Sequence, residues 1–263
     1  MLTAVSILSD NHSDAYRAVS QYVGRRLGIP VDFCQRVPWQ EREAMLYRGQ
    51  AHFGFLCGLP YVRQARRQDP PLELLAAPVM RGERYQGEPI YFSDVIVHRQ
   101  SGYGSFQELR GSVWAYNGAD SHSGYNLVAS HLARNGLDGR FFARVRESGA
   151  HLQSLSWVLQ GTVDASAIDA TVLESELSRR PSLAEEVRIL EVLGPSPMCP
   201  AVASTRLPEE LKRGLREALL GMHADPEGAE VLAGLPLLRF SPVSDPDYDP
   251  IRRMEAEAAT ISL

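Results

Sequence analysis

Long apolar runs are missing from this chain. None approaches the 18 residues that a membrane-spanning helix needs, so no direct membrane insertion is expected. Lysine is almost missing too: Lys212 is the only one, and the other basic residues are arginines. The 27 basic residues stand against 32 acidic ones, for a formal net charge of −5. Such a surface offers no bulk attraction to nucleic acid or anionic lipid, so no nucleic-acid partner is expected and an anionic ligand would need a local site. Cysteine is scarce, with Cys34, Cys57 and Cys199 at irregular spacing, which gives neither a disulfide framework nor a zinc motif. Cys34 and Cys57 lie in apolar runs and read as small buried hydrophobes. No His/Cys/Asp/Glu grouping has metal-ligand spacing, and no Gly-rich nucleotide motif or internal repeat is present, so neither metal nor cofactor is expected. The opening residues enter a strand pattern at once, without a basic, apolar and cleavage-site succession. The expected location is extracytoplasmic if a leader has been removed, and cytoplasmic otherwise.

What is present is an ordinary globular composition, 44% hydrophobic and 22% charged, in 263 residues. Residues 4–9 read as a strand. A helix follows with Tyr16, Val19, Tyr22, Val23 and Leu27 on one face, stopped by Gly28-Ile29-Pro30. A strand over 31–37, a helix over 39–47 and a third strand approached by 49–56 continue a βαβαβ rhythm, which argues an α/β sheet with helices on its faces. Binding sites in such sheets lie beyond the carboxyl ends of the strands. The loops at 9–13, 57–61 and around Ser121 are therefore the ones to watch.

The stretch Ala115-Tyr-Asn-Gly-Ala-Asp-Ser-His-Ser-Gly-Tyr125 stands out among them. A short apolar alternation precedes it, and Leu127, Val128, His131 and Leu132 follow at helical spacing, so Ser121 to Gly124 sits where a strand hands over to a helix. The first turn of a helix has N–H groups without intrahelical partners and carries the positive end of the dipole, so an oxyanion can be held there. Ser121 and Ser123 add hydroxyl donors, and Gly124 removes a side chain that would block close approach. The same sequence is also a plain N-cap, with no ligand implied. His122 lies between the serines but cannot face them as a base; it reads as a cationic donor below pH about 6.5. Asp164 and Asp169 flank a buried-strand run over 163–168. Five residues apart, they fall on opposite faces of an extended strand and do not make a paired-carboxylate catalytic set. Asp164 reads as a turn or cap residue, and Asp169 as a strand-end residue facing a ligand cleft. No catalytic residue is assigned.

The order strand, Ser121-His122-Ser123-Gly124, helix ending Asn135-Gly136-Leu137, then Gly149-Ala150-His151 and Gly161-Thr-Val-Asp-Ala-Ser-Ala-Ile-Asp169, resembles the phosphate/phosphite/phosphonate-type solute-binding proteins of ABC importers. The block Leu27-Gly-Ile-Pro-Val31, Gly49-Gln-Ala-His-Phe-Gly-Phe55 and Gly58-Leu-Pro-Tyr-Val62 is similar to their first-lobe signature, although His52-Phe53 stands where an aspartate is usual. The tail Val243 to Ile251 also matches.

The resemblance implies a two-lobed type II periplasmic-binding-protein-like α/β fold, each lobe a mixed sheet flanked by helices. Lobe one would hold residues 1–94 plus 197–263, and lobe two residues 95–196 with the anion loop. It further implies that Tyr61, Tyr91, Ser121, His122, Ser123, His151 and Asp169 line the ligand cleft. Tyr61 reads equally as an aromatic plug on a turn, and Tyr91 as a cross-strand packing residue. Aminophosphonate-binding members carry acidic residues after the Gly-x-His histidine and after the return-strand proline, where this chain has Leu152 and Ala201. A simple oxyanion is thus expected over a zwitterion, with Leu152 and Met198 free to face an apolar part of the ligand. The implied partners are a small anionic ligand and an ABC permease. A derived ligand sensor, or a cytoplasmic enzyme similar to those of the menaquinone pathway, remains as an alternative.

Overall fold

Helix ends in this chain are written in side chains and glycines. Helix α1, Ser13–Leu27, buries Tyr16, Val19, Tyr22 and Val23 on one face and ends at Gly28, whose φ of 66° is left-handed and suits glycine. It follows strand β1, Leu2–Ser6, and leads to β2, Val31–Phe33, which is shorter than the 31–37 run suggested. Next come α2, Trp39–Tyr47, then β3, Phe53–Phe55, then α3, Gly58–Ala65, and β4, Leu72–Met80. The computed structural model describes all 263 residues.

Strand β5, Ile90–His98, opens a second set of elements: β6, Val113–Tyr116; α4, Leu127–Arg134; β7, Arg144–Glu147; α5, His151–Leu159; β8, Ala165–Asp169; α6, Ala170–Arg179; and β9, Val187–Pro197. The chain then adds β10, Ala201–Ser204, α7, Glu209–Gly221, α8, Pro226–Ala233, and β11, Leu237–Ser241. It closes with α9, Asp249–Ala258.

Contacts divide the chain into two compact units, residues 1–90 with 197–249 and residues 91–196 with 250–263. Each has its own sheet. The first has six strands in the order β11-β4-β10-β3-β1-β2, with β2 and β3 parallel to β1 and the β10 and β11 pairings antiparallel. The second has five in the order β7-β6-β8-β5-β9, with β7 and β8 parallel to β6 and β5 antiparallel to β8. Both sheets are mixed, and helices follow the parallel strands.

In the second unit, strand alternation sorts the core onto two faces. Val95, Val97 and Trp114 join Leu127, Val128 and Leu132 of α4, while Ile96, Ala115 and Ile168 join side chains of α5 and α6. Trp114 is fully buried and stacks on Phe142 with ring centroids 4.5 Å apart. This packing fixes α4 against the sheet, and its first turn at the carboxyl end of β6.

The tail departs from the expected division. Residues 250–263, expected with the first lobe, pack on the second unit. Met254 is buried in the cluster around Trp114, Ile261 and Leu263 lie against that cluster, and Glu257 takes a 2.6 Å hydrogen bond from Ser130 and pairs with Arg134. The physical reason is the amphipathic face of α9, which puts Ile251, Met254 and Ala258 inside. Met254→Ala should therefore lower the stability of the second unit by about 2–5 kcal/mol, the range for a buried methionine reduced to alanine. Urea unfolding followed by tryptophan fluorescence checks this; an unchanged midpoint would place the tail outside that core.

Candidate anion-binding site

The loop after β6 enters α4 through a π-helical turn, His122–Asn126. The Asn126 N–H donates to the Ser121 carbonyl at 3.0 Å, and the Leu127 N–H to that of His122, both five residues back. Such a turn is wider than an α-turn, and single π-turns recur at functional sites. Ser121 caps it: its Oγ accepts the Gly124 N–H at 3.1 Å. The cap reading of the sequence is therefore correct at this residue, yet it leaves the hydroxyl proton available to a ligand oxygen.

Ser123 is buried, and its Oγ lies 3.0 Å from Nε2 of His151, which begins α5. Which atom donates depends on the histidine tautomer. Strand β5 ties the loop down from beneath, because Ser93 Oγ donates to the Ser123 carbonyl at 2.8 Å. Gly124 is required here for a reason the sequence did not reveal. A Cβ at this position would collide with Asn117 Oδ1 and crowd the His151 ring.

His122 needs a correction. Its ring is fully buried, with Nε2 3.0 Å from Ser196 Oγ and Nδ1 3.0 Å from Asn126 Nδ2. Burial pushes its pKa down to about 3, so it is neutral at physiological pH and supplies no cationic donor. The wide turn directs this residue inward, away from the role its place between two serines suggested.

Asp169 stands at a strand end, as the sequence suggested. Half-buried at the end of β8, it caps α6, its Oδ1 accepting the Thr171 N–H at 2.9 Å and the Thr171 hydroxyl at 2.7 Å. Burial raises its pKa to about 6, with the Thr171 hydrogen bonds opposing and the nearby Asp94 adding to the rise. Asp164 accepts the Val113 N–H at 2.7 Å, joining the start of β8 to β6. In a serine–histidine–aspartate triad the carboxylate orients the histidine. Each carboxylate flanking β8 holds backbone N–H groups instead.

The two tyrosines have packing partners. Tyr91, at the start of the second unit, is buried with its ring 6.3 Å from that of His122. Tyr61 lies on α3, not on a turn. It is buried in the first unit, donates to Asp245 Oδ1 at 2.7 Å and sets its ring edge-on to Tyr248 at 5.0 Å. These contacts hold the turn at Asp245–Tyr248 against α3. Leu152 packs on the apolar cluster shared by α5 and α6, and Met198 is buried with its carbonyl taking the Tyr248 hydroxyl at 2.9 Å. The second unit thus gathers Ser121, Ser123, His151, Ser93 and Asn126 around one turn. Ser93 and Asn126 carry no sign of this in the sequence, since each reaches the turn through a hydrogen bond that only the fold sets up.

Residues 4–248 match the model of the family described as ABC transporter, phosphonate, periplasmic substrate-binding protein, and the chain belongs to that family. A binding-protein component of an ABC phosphonate transporter from Pseudomonas aeruginosa superposes with a TM-score of 0.84 at 19% identity, covering 98% of this chain and 86% of that one. PhnD1 from Prochlorococcus marinus, solved in complex with methylphosphonate, gives 0.84 at 17% identity, with 99% and 98% covered. A Xanthomonas citri protein bound to ATP gives 0.74 at 20% identity, with 98% and 96% covered. The fold is therefore the two-lobed periplasmic binding-protein fold, and the resemblance read from the sequence is borne out. The family is a substrate-binding transport component and periplasmic; no helix of this chain is long and apolar enough to cross a membrane.

Neutral burial of His122 has a pH signature. Its folded pKa, about 3, lies below the ordinary unfolded value near 6.5, so the unfolded chain takes up the proton first and stability falls as pH drops below about 6.5. At about 1.4 kcal/mol per pH unit, this residue removes about 2 kcal/mol between pH 7 and pH 5. Asp169, with its raised pKa, acts in the opposite sense between about pH 4 and 6, so the comparison must be with a variant. Thermal melts of wild type and His122→Gln at both pH values should show the smaller drop in the variant; equal drops would mean the ring titrates normally.

Proposed function

We propose that this chain binds a small phosphorus oxyanion, of the phosphate, phosphite or alkylphosphonate class, at the Ser121–Gly124 turn and delivers it to an ABC permease. The observation that carries the reading is the π-turn itself, where the Ser121 hydroxyl and the Ser123–His151 pair stand at the positive end of α4. Three to five charge-assisted hydrogen bonds at roughly 1.5–3 kcal/mol each reach the ~8 kcal/mol of micromolar binding without a lysine. Membership of the phosphonate-binding family supports the ligand class. So does the methylphosphonate held by PhnD1.

A simple anion is favoured over an aminophosphonate. Leu152 faces the apolar cluster of α5 and α6, and Ala201 is a fully buried strand residue, so no carboxylate stands at either position to receive an ammonium group. The matched family is a transport component, not the menaquinone-pathway type of enzyme weighed as an alternative. We read the chain as a non-catalytic binder, acting outside the cytoplasm like its family.

Replacing Ser121 and Ser123 together by alanine removes two hydroxyl donors but leaves the backbone N–H groups and the dipole. Affinity should fall by about two to four powers of ten, allowing for coupling between neighbours. Loss of the Ser121 cap should cost about 1 kcal/mol of stability. Calorimetric titration of phosphate, phosphite and methylphosphonate, beside a melt of each protein, checks both. Unchanged affinity in the variant, or no oxyanion bound by wild type, would contradict the proposal.

A further inference from the structure

Two of the three cysteines lie at the same end of a ladder in the first unit, Cys57 two residues after β3 and Cys199 two residues before β10. Strands β3 and β10 pair antiparallel with Phe55 opposite Ala201, Gly54 opposite Val202 and Phe53 opposite Ala203. The ladder runs one rung further, because the Leu56 N–H donates to the Pro200 carbonyl at 3.3 Å. Continued by one more rung, that register would set Cys57 against Cys199. Cys57 is still extended there, with φ −64° and ψ 148°, before the chain turns into α3. Antiparallel rungs alternate between hydrogen-bonded and non-hydrogen-bonded pairs. The Leu56–Pro200 rung carries the backbone bond, so the Cys57–Cys199 rung is of the second kind. In such rungs the α-carbons lie roughly 4.5 Å apart with both side chains on one face, a separation a disulfide can span.

A second observation places the two sulfurs in one neighbourhood. The buried Tyr248 hydroxyl, which donates to the carbonyl of Met198, is pushed well above its ordinary pKa by burial and further by charge on both Cys199 and Cys57. Cys57 is half-buried and so partly open to solvent, while Cys199 is buried. Cys34 follows β2, and β1 lies between that strand and β3, so it has no place in this rung.

We propose that Cys57 and Cys199 are a redox-active pair that closes to a disulfide on contact with a small disulfide oxidant. The Cys57 thiolate attacks one sulfur of the oxidant and releases the other half as a thiol. The Cys199 thiolate then attacks the Cys57 sulfur of the mixed disulfide and releases the second half. The protein loses two protons and two electrons, and the oxidant disulfide takes up both to become two thiols. The oxidising periplasm of the family is a compartment in which such a bond persists. The bond would link residues far apart in sequence, which restricts the unfolded chain strongly. It does not depend on the ligand.

The test uses the whole folded protein, reduced, desalted and then exposed to oxidised glutathione before acid quenching and alkylation in denaturant. The expected product has lost two hydrogens, alkylates only at Cys34, yields a peptide joining Cys57 to Cys199, and melts several degrees higher until reductant reverses the shift. Cys199→Ser should instead retain glutathione on Cys57 and gain no thermal stability. Three alkylated cysteines in the oxidised wild type, or a disulfide that includes Cys34, would overturn the pairing.

Discussion

The amide of Asn126 reaching back five residues to the carbonyl of Ser121 is the interaction on which the site depends. That reach widens the first turn, and the widening divides three neighbouring side chains between two environments. His122 goes inward to Ser196 and Asn126, Ser121 turns back to cap Gly124, and Ser123 meets His151. A regular α-turn would set the same residues about 100° apart around one axis, and a histidine between two serines would stay near the surface. Gly124 is the residue that permits it, since the Asn117 side chain occupies the space a Cβ would need.

The buried histidine also shows how the loop is held without charge. His122 is neutral, Ser93 holds the Ser123 carbonyl from β5, and Tyr91 backs the ring. These are hydrogen bonds and packing inside one unit, unaffected by salt and independent of the protein's net charge. An anion arriving at the turn would meet oriented dipoles and hydroxyls instead of a mobile ammonium group, and ordered donors of that kind lose little freedom on binding. This suits a chain with a single lysine, whose ammonium is engaged elsewhere by Glu73 and Glu209.

Much of this was legible in the sequence. The α/β rhythm and the strand-to-helix position of Ser121 follow from periodicity and glycine stops, because those signals are local, and the two-lobed fold follows from the resemblance to the family. Three features were not. The tail on the second unit depends on which core the apolar face of α9 finds, and the sequence of α9 does not name its partner. Strand β4, with its Leu-Leu-Ala-Ala-Pro-Val run, is buried along nearly its whole length and shows no alternation from which to read it. The inward turn of His122 and the capping by Asp169 depend on where one hydrogen bond lands, five residues back rather than four, or on the first turn of the next helix rather than in open space. Tyr61 illustrates the same limit, since its partner Asp245 lies 184 residues away.

A crystal structure of the protein grown with methylphosphonate tests the central claim most directly. The phosphonate oxygens should lie at the π-turn, within hydrogen-bond distance, roughly 2.5–3.2 Å, of the Ser121 and Ser123 hydroxyls and of first-turn N–H groups, with His122 unmoved and bonded to Ser196. Density for the ligand anywhere else, or a His122 ring swung out to meet it, would contradict the account.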